Sequence, residues 1–94
     1  NNGFFLDTLG WVEYKKKDFV SSVFYLEKSV IILPKSSEVL DHLGDCYLML
    51  GRTNEAIYEW KKALKYENDI GIIIYVMQLI GIECYIEIWY IFKF

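Results

Sequence analysis

His42 is the only histidine of the chain, and it stands inside Asp41-His42-Leu43-Gly44-Asp45. An imidazole with carboxylates nearby is raw material for proton transfer or for a metal centre. The spacing argues against both. Neighbours on one helix do not face each other, so a catalytic pairing of His42 with Asp41 or Asp45 is not expected. One histidine cannot build a metal site by itself. It is expected on the solvent side or between helices. Cys46 and Cys84 lie far apart without paired partners, which is neither a disulfide framework nor a zinc spacing. Cys46 reads as a small buried apolar residue. Glu83 and Glu87 are one helical turn apart, and paired carboxylates without a cleft form a solvated face. Gly44 and Gly51 are too sparse for a phosphate-cradling loop. Lys15, Lys16 and Lys17 close a helix, where positive charge is favoured, so they read as a solvated end. No catalytic arrangement, metal site or cofactor motif emerges, and a non-enzymatic chain is expected.

The 94 residues are enough for one small domain or a piece of a larger one. The chain is 54% hydrophobic and 18% aromatic, so a core is available. Its formal net charge of −3 mixes lysines with glutamates and steers it toward neither nucleic acid nor an anionic membrane surface. It opens Asn-Asn-Gly with no signal-peptide pattern, and a fragment or processed product is expected.

The elements that carry these residues are set by an internal repeat. Leu9-Gly10 recurs as Leu43-Gly44, an offset of 34 residues. At the same offset Leu6 meets Leu40, Val23 meets Ile57, Phe24 meets Tyr58, Leu26 meets Trp60 and Val30 meets Leu64. Small residues align too: Ser22 with Ala56, Ser29 with Ala63.

Leu43-Gly44-Asp45-Cys46-Tyr47, Gly51-Arg52, Glu55-Ala56, Trp60 and Ala63-Leu64 together resemble the tetratricopeptide repeat family. Leu9-Gly10, Ser22, Leu26, Ser29 and Pro34 resemble a weaker copy. Glu13 stands where Tyr47 stands in the second copy, Lys17 where Gly51 stands, and Asn68 where Pro34 stands. The first copy is therefore expected to be the less stable. Leu6-Asp7-Thr8-Leu9-Gly10-Trp11 and Asp41-His42-Leu43-Gly44-Asp45 further resemble the last repeats of long bacterial members; the compartment, cytoplasm or bacterial envelope, is not set by the sequence. The resemblance implies an all-α fold: an α-α superhelix of two helix-turn-helix repeats, about 3–36 and 37–69, followed by an apolar segment, 70–94.

Helices are expected at about 4–16, 19–33, 37–50 and 54–67. Each runs about 21 Å at 1.5 Å per residue. Leu40, Leu43, Gly44 and Tyr47 share one stripe, and Ala56, Trp60, Ala63 and Leu64 share another. Glycine inside a helix costs about 1 kcal/mol relative to alanine. Gly44 offsets this by admitting the bulk of Trp60, with Ala56 beside it. Gly10, Ser22 and Leu26 repeat the device with a smaller plug. Asp18, Ser36 or Ser37, and Thr53 are expected helix caps. Gly51 is expected to be left-handed, and Lys17 either left-handed or in a widened turn.

In the family, the first helix of each repeat lines a concave surface that holds a peptide or a partner's helix. Transferred by helical face, that lining is Phe4, Asp7, Trp11, Tyr14 and Lys15, then Glu38, Asp41, Asp45, Leu48 and Met49. Three aspartates repel a peptide's terminal carboxylate. A protein partner offering an apolar or basic segment is expected, with Trp11 and Tyr14 as aromatic anchors. For Trp11 a partly buried core role stands beside that of anchor.

The run Ile70–Ile82 carries no charge, and Gln78 stands where a third copy would place a glycine. Three readings of 70–94 compete: a helix covering the last pair, a segment entering a membrane or a partner, or a non-native ending. Residues 82–94 also alternate in a way a strand could use. The rival to an interaction scaffold is thus a small membrane-associated or self-associating structural protein driven by this tail.

Overall fold

Helix α1, Gly3–Lys15, opens the fold with Asn2 as its cap, whose side chain accepts a hydrogen bond from the Phe5 N–H. The computed structural model describes residues 2–67, 71, 73–75 and 78. α2 spans Phe19–Ile32, α3 Ser37–Met49 and α4 Thr53–Tyr66. Among the described residues there is no strand. Each observed boundary falls within one residue of its expected place.

The caps explain this agreement. Asp18 accepts from the Ser21 N–H and hydroxyl, 3.1 and 2.8 Å away, and so starts α2. Ser36 caps α3 through the Val39 N–H. The fourth cap differs from expectation. Arg52, not Thr53, holds the cap position, and no side chain caps α4. The Arg52 side chain instead forks onto Glu55 at 2.7 and 2.6 Å.

Both sharp turns go left-handed, Gly51 at φ +77° and Lys17 at φ +66°. A β-carbon at Gly51 would meet nothing within 4 Å, so only its backbone conformation calls for glycine. Lysine at the matching turn carries a conformational cost of about 1–2 kcal/mol. Lys17→Gly relieves that cost but loosens the unfolded chain by about 0.5–1 kcal/mol. The expected net gain is ~0.7 kcal/mol, a thermal midpoint higher by ~4 °C. Calorimetry of the variant checks this, and a lower midpoint would contradict it.

α1 and α2 pack antiparallel, as do α3 and α4, and α2 packs on α3 to join the hairpins. The core comprises Val23, Leu26, Val39, Leu43, Cys46, Tyr47, Ala56, Trp60 and Leu64. Tiny residues set the helix spacing. A β-carbon at Gly44 would fall 2.4 Å from Nε1 of Trp60, and one at Gly10 would fall 2.6 Å from Cγ of Leu26. The two hairpins therefore solve the same packing problem with plugs of different size.

Ser22 and Ser29 do more than save space. Their buried hydroxyls donate to the carbonyls of Gly10 and Gly3, each at 2.7 Å, and tie α2 to the backbone of α1. Ser22 also lies 2.8 Å from the Cys46 sulfur, across the seam to α3. Nearby, Tyr47 donates its hydroxyl proton to Glu27 over 2.6 Å.

Equivalent faces of the two first helices differ. Val39 and Cys46 on α3 are fully buried under α2, while their counterparts Phe5 and Val12 on α1 are about half exposed. Ile73 packs against the core from beyond α4. Among the described residues no helix is long and apolar enough to cross a membrane. The remaining expectations for 70–94, including the strand alternation of 82–94 and the roles of Cys84, Glu83, Glu87 and Lys93, fall outside the described residues.

Candidate interaction groove

The first helices of the two hairpins, α1 and α3, touch along one side, and their facing residues form a polar and aromatic cluster. Its centre is a contact between the hairpins. Asp7 Oδ1 lies 2.8 Å from His42 Nδ1. Asp7 is only 6% exposed. It lies behind the open wall for which the sequence suggested it, held there by its hydrogen bond to His42 on α3. Burial pulls the His42 pKa down, but the hydrogen bond and charge of Asp7, with Glu38 and Asp41, outweigh it and raise the pKa overall.

Trp11 stacks on His42 with ring centres 4.1 Å apart and on Tyr14 at 4.4 Å, both nearly parallel. Tyr14 meets the edge of Phe19 at 5.4 Å. Lys15 places its ammonium 5.2 Å from the Trp11 ring. Half-buried Trp11 is therefore already engaged by aromatic neighbours and serves as a fixed wall. Burial, followed by the nearby charges of Asp45 and Cys46, raises the Tyr14 pKa.

The acidic side is continuous with this strip. Asp45 accepts a hydrogen bond from Trp60 Nε1–H at 3.2 Å. Its carboxyl is pushed up to about 6, by burial first and then by Asp41, against the opposing pull of Trp60 and His42. Asp41 is also raised, chiefly by burial, with Glu67 and Glu38 adding to it and His42 opposing. Glu38 is exposed at the start of α3.

Of the ten residues expected to line a groove, seven thus gather in one patch: Asp7, Trp11, Tyr14, Lys15, Glu38, Asp41 and Asp45. Phe4, in the first turn of α1, and Leu48 and Met49, in the last turn of α3, are exposed at its two ends. His42 belongs to the same patch, although sequence reasoning left it out. The one available signal was the helical register, which sets it one turn from Glu38. Asp7, Glu38 and His42 each offer a ligand atom within 4.8 Å of the others, a donor set that can hold a metal ion. Sequence spacing hid it because the donors come from two helices.

Antiparallel helix pairs stacked through small-residue contacts, with a polar strip along their first helices, define an all-α helical-repeat architecture. The family model named Tetratricopeptide repeat matches residues 37–70, the whole of α3 and α4. Residues 37–70 are thus similar to a tetratricopeptide repeat. No curated protein and no solved structure matches the chain.

Proposed function

We propose that the chain is a non-catalytic interaction module with two repeats, 3–36 and 37–69, and that its α1–α3 side receives a partner segment bearing basic and apolar side chains. The observation that carries this reading is the crowding of half-buried Asp41 and Asp45 beside exposed Glu38, next to the Trp11–Tyr14 wall. Carboxylates held close together and partly desolvated bind protons more tightly than usual, and a guanidinium or ammonium group satisfies the same demand. Phe4, Leu48 and Met49 offer apolar contact at the ends, and Lys15 supplies a positive rim.

The probe is a labelled peptide alternating arginine and leucine, titrated at several salt concentrations. Glu38→Lys with Asp41→Lys is expected to weaken its binding at least about tenfold, and added salt to weaken binding to the parent. Asp45 is spared in this variant because it also holds Trp60. Unchanged affinity in a folded double variant would remove the acidic-groove reading.

A further inference from the structure

We propose that Asp7, Glu38 and His42 form a binding site for a divalent transition cation, with zinc as the probe, clamped across the two hairpins. Glu38 and His42 lie one turn apart on α3 and so share a face. Asp7 comes from α1, and one donor atom from each of the three lies within 4.8 Å of the other two.

Two of these ligands are already fixed. Asp7 is buried, its Oδ1 shares a proton with His42 Nδ1 at 2.8 Å, and Trp11 stacks on the imidazole plane; the cation would displace that proton to solvent and take its place between the two atoms. Ring orientation is what neighbouring groups normally provide to a ligating histidine. Glu38 is exposed, and a change of its side-chain rotamer closes the set, since ligands at ~2.0–2.1 Å from a tetrahedral zinc stand only ~3.3 Å apart. Its exposed side leaves room for water at the remaining position.

Charge favours the same assignment. Two carboxylates and a neutral imidazole balance a dication, while Asp41 and Asp45 add negative charge beyond the ligands. One imidazole nitrogen with two carboxylate oxygens suits zinc and similar first-row ions, whereas calcium takes oxygen alone. The cation would tie α1 to α3, whose direct contact is slight. This assignment does not rest on the proposed groove partner, although both would use Glu38.

The test is titration of the full chain with zinc chloride by calorimetry, paired with nitrogen NMR of the His42 ring. One zinc per chain and a shifted ring-nitrogen resonance are expected. Glu38→Gln, an exposed change of equal size, should weaken binding at least about tenfold, and His42→Gln at least as much. Asp41→Asn should change it less than about threefold. Zinc binding that ignores Glu38→Gln, an unmoved His42 resonance, or a thiolate charge-transfer band when cobalt replaces zinc would each overturn the assignment.

Discussion

Gly44→Ala is expected to destabilise the chain by about 2–4 kcal/mol, read as a lower urea midpoint in far-ultraviolet circular dichroism. In an open helix the same change would stabilise by about 1 kcal/mol. Here the added methyl would fall 2.4 Å from Nε1 and 2.5 Å from Cδ1 of Trp60. The indole has little room to retreat, because it is 5% exposed within the core. Overfilling costs about 1–3 kcal/mol. Displacing the ring also breaks its hydrogen bond to the Asp45 carboxylate, a bond of a kind that contributes about 1.5–3 kcal/mol. The cause is isolated by a cycle with Trp60→Leu. That substitution alone should be costly, as large-to-small core changes are. Adding Gly44→Ala to it should cost little more, because the ring it strikes is gone. A coupling of about 2 kcal/mol is expected between the pair. Strict additivity would mean that Gly44 serves some purpose other than admitting the indole.

The second large effect depends on pH. Asp45 binds its proton near pH 6 in the fold, against about 3.8 for an ordinary aspartate. A carboxyl raised in this way favours the folded state when protonated. Its contribution is complete below pH ~3.8 and is lost as the pH rises through about 6. Two powers of ten in proton affinity correspond to ~3 kcal/mol, and residual solvent contact reduces this to about 1–2 kcal/mol. Asp45→Asn removes the charge and keeps an oxygen to accept the Trp60 N–H. It is therefore expected to stabilise the chain by about 1–2 kcal/mol at pH 8 relative to the parent, and by nearly nothing at pH 4. Asp41 and His42 on α3, Tyr14 on α1 and Trp60 on α4 surround the group, and comparing variant with parent at each pH cancels their own titration. A stability difference independent of pH would show that Asp45 is ionised at ordinary cost.

The same residues mark how far the sequence could be read. The spacing of Leu9-Gly10 and Leu43-Gly44 carried the helix boundaries, because a repeated packing problem leaves a repeated pattern of sizes. Gly44 facing Trp60 and Gly51 turning left-handed were legible for that reason: each is dictated by one helix and its immediate neighbour. The contact of Asp7 with His42 was not. It joins residues on separate hairpins, and whether they meet depends on the twist between α1 and α3, which no local pattern states. Ser22 and Ser29 were legible only as small residues. Their carbonyl partners follow from a helix separation that the sequence implies but does not measure. Arg52 displaced Thr53 as cap because a boundary can slip by one residue when a neighbouring side chain, here paired with Glu55, is satisfied elsewhere.

Ser22 has one hydroxyl proton, and the Gly10 carbonyl takes it. Toward Cys46 the serine oxygen can then only receive, so the sulfur must keep its hydrogen. Ionising that sulfur, 2.8 Å away, would call the Ser22 proton away from Gly10 and so cost α2 this tie to α1. Burial, with the charges of Asp45 and Asp7 adding to it, pushes the Cys46 thiol up to about 11 against the opposing pull of Ser22. Alkylating reagents need the anion and a path to it, and the closed molecule supplies neither. The rate at which this one sulfur is labelled is therefore a clock for how often the two halves swing apart.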